Sequence, residues 1–245
     1  ADLYRAFAAD SLYHVAPDEI TKAQRQIGKL GQLGLGFGSG AQTFRRIAKT
    51  MGGVVMPVES DDPDVLDCVT VVNSWRSAYA PIVQGWATCG KSLFDVRAGL
   101  ENAIDPWGLT HTCAEGIVLP SGRIIRYPDL RLMSEGEWPD GRPKKQWMYA
   151  HGRHKAFLTG PKVDENIVQA LARDSVFDCS VDFYKSTSLR PALRVHDELV
   201  YVVDEAPAAD LLAELQRIMR TPPKWWPELV VWSEGDMAGT YGDAK

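Results

Sequence analysis

The chain has little cysteine. Cys68, Cys89, Cys113 and Cys179 are its four, widely spaced and without a CxxC pair. That argues against a zinc site or a disulfide framework and fits a reducing compartment. No apolar run is long enough to span a membrane, and no signal-peptide pattern opens the chain. The expectation is a cytoplasmic protein with no membrane partner. Internal repeats and low-complexity tracts are missing, and so is a phosphate loop of the GxxxxGK[ST] type. Histidine is scarce: His14, His111, His151, His154 and His196 fall on no convincing metal-ligand spacing. Excess basic charge is missing too. A net charge of −5 argues against a protein that coats nucleic acid over its whole surface, but leaves room for a local groove. What remains, 45% hydrophobic and 24% charged, is ordinary for a globular protein. At 245 residues it can bury the core of one domain or two small ones.

Positive charge gathers at Lys22, Arg25, Lys29, Arg45, Arg46 and Lys49, and again in RPKK (142–145) and HGRHK (151–155). Acidic residues gather in ESDDPD (59–64). The plain account of each cluster is solvated surface. Along the chain, the first half reads as helical. DLYRAFAADSLY has apolar residues at helical spacing behind a capping aspartate, and Thr21 caps a second helix after the turn at APDE. AQTFRRIAKTMGG is a short amphipathic helix closed by Gly52 and Gly53. Residues 63–94 form one or two helices broken near Pro81. GIVLPSGRIIRYPDL then alternates like a hairpin with a Ser-Gly turn. A Pro/Gly-rich loop is expected from Ser134 to about Lys145, followed by a helix through VDENIVQALARDSVFDCSVDFY. ALRVHDELVYVVD reads as two β-rich arms around His196-Asp197-Glu198, PAADLLAELQRIM as an amphipathic helix, and LVVWSEGDMAGTY as a last strand-like segment. The result is a helical first part and a mixed α+β second part.

Two constellations carry chemistry. In RQIGKLGQLGLGFGSG (25–40), Arg25, Lys29, Leu33 and Phe37 recur every four residues and share one helical face. A guanidinium and an ammonium on one face suit a triphosphate, and Phe37 offers a flat surface to a base or sugar. The glycines among them, Gly28, Gly31, Gly34 and Gly36, let another molecule approach the backbone closely. The alternative is a glycine-rich helix end packed on a neighbour. In RVHDELVYVV (194–203), two strand-like arms meet at acidic residues, where a carboxylate is well placed to hold Mg²⁺ together with substrate phosphates. The alternative is a polar turn on an edge hairpin.

Together and in this order, the two constellations resemble the family A DNA polymerases. Arg25, Lys29 and the Phe37-Gly38 pair are similar to that family's nucleotide-binding helix, and VHDEL (195–199) to the carboxylate motif of its palm. DLYRAFAA resembles the preceding helix, WRSAYAPIVQGW a later fingers helix, LPSGRIIRYPDLRL the hairpin after it, and ENIVQALARD the helix under the primer-template. Phage members of the family share the glycine-rich run and ENIVQA.

The resemblance implies an α+β fold, with a helical fingers subdomain over residues 1–155 and the C-terminal part of an antiparallel-sheet palm over 156–245. It implies that Arg25 and Lys29 grip a deoxynucleoside triphosphate, that Lys29 protonates the leaving pyrophosphate, and that Phe37 covers the new base pair. Tyr4 falls where the family often has a histidine touching the phosphates, and Leu33 where many members have an aromatic residue against the sugar. Gly38 and Gln169 would contact DNA, the latter as a minor-groove reader, and His196 would touch the primer terminus. Asp197 would ligate Mg²⁺, and Glu198, aimed oppositely in a regular strand, would stand behind it. The family's second aspartate, in a DYSQIELR-like strand, has no match in these residues. The expectation is therefore a fragment, or the C-terminal subunit of a split polymerase. Its partner would be a second polypeptide supplying that aspartate, the thumb and any exonuclease, in a bacterial cell or one infected by phage. Two other functions remain open on the residues: a non-catalytic DNA-binding accessory protein, and a metal-dependent nucleotide hydrolase built on His196 and Asp197.

Overall fold

A computed structural model describes residues 2–137, 141 and 143–244. The fold is mixed α+β with small antiparallel sheets. The chain divides into two compact units. The first comprises Ala1–Ile104, Thr112–Gly116 and Arg126–Glu165, and the second Asp105–His111, Ile117–Ile125 and Asn166–Lys245.

The first unit begins with α1 (Leu3–Phe7), which continues as a π-helical turn over Ala8–Tyr13. Asp2 caps α1 by accepting from the backbone N–H groups of Tyr4 and Arg5, each at 3.1 Å. After a 3₁₀ turn at Pro17–Glu19 comes α2 (Lys22–Leu35). Its start is a reciprocal capping box: the Gln24 N–H donates to Thr21 Oγ1 at 3.3 Å, and the Thr21 N–H to Gln24 Oε1 at 2.9 Å. α3 (Ala41–Gly52) closes at Gly53, whose φ of 64° is the left-handed conformation of a helix C-terminus. Asp67 caps α4 (Cys68–Ala78). Tyr79 separates it from α5 (Ala80–Ala98), where Pro81 sits in the first turn and has no helical partner to lose. Phe7, Leu30, Leu35, Phe44, Met56, Val71, Val72, Trp75 and Trp86 form the core that these helices share.

The strands follow. β1 (His111–Cys113), β2 (Gly116–Val118) and β3 (Ile124–Arg126) make one sheet in chain order. The expected turn between the last two closes with the Leu119 N–H donating to the Arg123 carbonyl at 2.8 Å. Gly122 takes a φ of 79° there. The loop expected from Ser134 to Lys145 is a correction: β4 (Arg131–Glu137) pairs antiparallel with β5 (Pro143–His151), and β5 with β6 (His154–Leu158). Glycine and proline suggested a loop, but cross-strand pairing of Ser134 with Lys145 and of Glu137 with Pro143 carries the arms well into it. Residues 138–140 and Arg142 of that expectation lie outside the described residues.

In the second unit, α6 (Gly160–Thr187, its first residues belonging to the first unit) packs Phe183 with Leu215 and Ile218 of α7 (Ala208–Met219). Leu199 and Tyr201 also join this core. β7 (Leu193–Val195) and β8 (Glu198–Val200) form the expected hairpin, with Val195 opposite Glu198. The last strand-like segment is a second correction. Residues 229–238 belong to no strand, and Val230 and Trp232 are 92% and 71% exposed. Its alternating pattern has no partner strand among the described residues, so the ladder that would define it is not made.

Candidate functional site

α2 presents two different faces. Gly28, Leu30, Gly31 and Leu35 are buried, while Leu33 and Phe37 are 51% and 40% exposed. Arg25 and Lys29, half-buried, continue the same outward row toward the helix start. At 1.5 Å per residue the helical part of the row climbs about 12 Å from Arg25 to Leu33; the expectation that Phe37 shares that helical face is corrected, since α2 ends at Leu35 and Phe37 lies in the turn beyond it. The Gln32 amide, beside that row, ties α2 to the end of α4: it donates to Tyr79 Oη at 2.5 Å and accepts from Trp75 Nε1 at 3.4 Å.

The glycines answer to a different cause from the one expected. A Cβ on Gly28 would run into the backbone carbonyl of Tyr4 and come within 3.1 Å of the Ala8 Cβ. One on Gly31 would lie 2.8 Å from the Phe7 ring, and one on Gly34 3.3 Å from Ile47. The close approach at these three positions is made by the protein's own α1 and α3, so the packed-neighbour alternative describes them. Gly38 has a φ of 82° and faces the Pro161 ring, where a Cβ would sit 2.5 Å from two ring atoms. Only a glycine meets both conditions there.

The two cations differ. Arg25 Nε donates to Asp2 Oδ2 at 2.6 Å, and its guanidinium lies over the Tyr4 ring at 5.4 Å from the centroid. The Arg25 hydrogen bond holds the Asp2 carboxyl below its ordinary range, helped by the Arg5 backbone N–H. Lys29 has no ion-pair or hydrogen-bond partner among the described residues. Asp2 was expected only as a cap. Its second role joins residues 23 apart, a relation that helical periodicity does not carry.

In the second unit, His196 and Asp197 form the two-residue loop of the β7–β8 hairpin. His196 takes the left-handed φ of 53° that tight hairpin turns demand. Asp197 therefore sits in the turn and not in a strand, so strand alternation does not set its direction relative to Glu198. The Glu198 carboxylate accepts from Tyr241 Oη at 2.7 Å, which raises the tyrosine's pKa. Gln169 is exposed on α6. The candidate residues thus form two sets: Tyr4, Arg25, Lys29, Leu33, Phe37 and Gly38 in the first unit, and Gln169, His196, Asp197 and Glu198 in the second.

No group of three or more His, Cys, Asp or Glu gathers among the described residues in a way that could hold a metal ion. Asp197 offers one exposed carboxylate. That suits Mg²⁺ only where substrate phosphates and further oxygen ligands complete the shell. His196 and Asp197 likewise stand, among the described residues, without the additional ligands that a hydrolase of the histidine-aspartate type needs. Among the described residues, no helix is long and apolar enough to cross a membrane. No protein-family model matches the chain, and no curated protein matches it.

Proposed function

We propose that the chain is the fingers and C-terminal palm portion of a family A DNA polymerase. In this proposal it carries out template-directed transfer from a deoxynucleoside triphosphate to a primer 3′-hydroxyl. The observation that supports the proposal most is the outward row of α2, with the Lys29 ammonium unpartnered among the described residues between the Arg25 guanidinium and the exposed Leu33, and the exposed Phe37 just past the helix end. A fixed cation without a counter-charge in its own fold is suited to an anionic ligand.

In this scheme Lys29 binds the triphosphate and gives its proton to the leaving pyrophosphate oxygen. Arg25 forks onto phosphate oxygens once it releases Asp2, and Tyr4 keeps the guanidinium in place beneath. Leu33 faces the sugar and Phe37 covers the nascent base pair. Gln169 and Gly38 contact the primer-template and His196 the primer terminus. Mg²⁺, held in part by Asp197, supplies charge neutralisation at the phosphates when bound. Two such ions need a second carboxylate that these 245 residues do not offer in a matching motif. A second polypeptide is therefore proposed to bring that aspartate, together with the thumb.

The test is single-turnover nucleotide addition by the reconstituted enzyme. Lys29→Ala should slow it by roughly 10²–10⁴-fold, with primer-template affinity little changed. Unaltered incorporation would remove Lys29 from the mechanism. Robust extension by the 245-residue chain alone, abolished by Asp197→Asn, would overturn the two-polypeptide part.

A further inference from the structure

The second unit carries a groove of about 310 Å³ lined by Ser180, Val181, Tyr184, Arg190, Pro191 and Arg194. Its floor is one face of α6. Val181 and Tyr184 present that face to the groove, and Phe177 and Arg173, four and eight residues before Val181, continue it beyond the groove. The row continues from Gln169, four residues before Arg173. Guanidiniums are stacked along it. Arg194 lies 4.6 Å and Arg173 5.0 Å from the centroid of Phe177, and Arg190 lies 5.6 Å from that of Tyr184. Among the described residues none of the three pairs with a carboxylate.

The acidic residues of α6 lie elsewhere. Asp174, Asp178 and Asp182 each follow the row by one residue, a rotation of about 100° around the helix. Asp174 is engaged by Arg123 at 2.9 Å and Ser121 at 2.6 Å, and Asp182 by Lys185 at 2.9 Å.

A guanidinium stacked on a ring is held flat and leaves its N–H edge open to oxygen acceptors. The two stacks are centred seven residues apart, about 10 Å along the helix axis. That distance separates them too far to share one small anion, and it suits an extended chain of anions. Tyr184, 42% exposed and with a single guanidinium over it, adds a platform on which a base can stack. We propose that this groove, with the face of α6 that continues it to Arg173, binds one strand of nucleic acid, Arg173, Arg190 and Arg194 contacting successive phosphates and Tyr184 touching a base. The proposal rests on the DNA-binding part of the function above and is independent of the catalytic roles of Lys29 and Asp197.

The experiment is fluorescence anisotropy of the 245-residue chain with a labelled 20-nucleotide oligothymidine, titrated across a range of salt. Arg190→Gln/Arg194→Gln should weaken binding at least tenfold and flatten the plot of log affinity against log salt by about 1.4, two single-strand phosphate contacts at about 0.7 each. Lys91→Gln/Arg97→Gln, with equal loss of charge on α5, should leave both near wild type. Arg190→Lys/Arg194→Lys should keep most of the slope and lose affinity, because an ammonium does not fork or stack as a guanidinium does. Circular dichroism checks that each variant is folded.

If the wild type binds and the glutamine pair binds with the same affinity and slope, the groove is not the site, while the polymerase function stands. If the wild type shows no salt-dependent affinity, this proposal fails together with the DNA-binding function. Displacement of the oligonucleotide by inorganic triphosphate at equal phosphate concentration would overturn the strand in favour of a small-anion site. Stronger displacement by polyglutamate at equal charge would overturn it in favour of an acidic protein partner.

Discussion

Gly28→Ala is a one-methyl perturbation with a worked cost. The added Cβ would overlap the Tyr4 carbonyl oxygen and approach the Ala8 Cβ to 3.1 Å. The first obstacle is backbone, so no rotamer change relieves it and α1 must move off α2. Overpacking of this kind costs about 1–3 kcal/mol, while alanine regains about 1 kcal/mol of helix propensity. Where the overlap is with backbone the upper part of the range applies, leaving a net loss of about 1–2 kcal/mol. At about 2–4 °C per kcal/mol for a chain of this size, the melting temperature should fall by about 2–8 °C. Gly36→Ala is the matched control. Its φ is −56°, and the nearest atom to an added Cβ is the Gln32 carbonyl oxygen at 3.9 Å. Restricting the unfolded chain there should stabilise by about 0.4–1 kcal/mol. The assay is thermal denaturation of both variants, with hydrogen exchange to localise the change. Residues 3–13 should lose protection in Gly28→Ala and keep it in Gly36→Ala. A Gly28→Ala variant that melts at or above Gly36→Ala would refute the close approach of α1 as the reason for this glycine.

Four other outcomes follow from the same geometry. Leu33→Tyr should change the preference between deoxy- and dideoxynucleotides, because a phenol supplies a hydrogen bond at the exposed position, and Phe37→Ala should lower nucleotide affinity and fidelity; an unchanged dideoxy ratio would take Leu33 away from the sugar. The Asp2 carboxyl is lowered from an unfolded value of 3.8, so its contribution is complete above that pH and lost as pH falls through the depressed folded value. The difference in melting temperature between wild type and Asp2→Asn should therefore be present at pH 6 and vanish in strong acid. Burial pushes the Cys89 thiol up to about 12, so in the folded protein it should resist alkylation at pH 8 and react only on unfolding; rapid labelling of Cys89, read by peptide mass, would contradict its placement.

Local chemistry was legible in the sequence wherever the deciding atoms lie within one turn of the chain. Asp2 and Thr21 are side-chain caps because each oxygen reaches an N–H two or three residues away. Gly53 ends α3, Pro81 opens α5, and the outward row of α2 follows from a period of 3.6. The hairpin at His196-Asp197 is likewise local, two short β-rich arms around two polar residues. What tertiary structure decided involves atoms distant in sequence. The extension of β4 and β5 into an apparent loop depends on each arm finding the other, since a strand is defined by its partner and not by its own composition. The reverse holds for residues 229–238, whose alternation stays unpaired. Gly28, Gly31 and Gly34 look the same in sequence whether they admit a ligand or a helix; only the position of α1 and α3 against α2 distinguishes the two. Arg25 meets Asp2 across 23 residues, and Arg194 meets Phe177 across 17, by the same rule. A charged side chain shows its type in sequence, but its partner is chosen by packing.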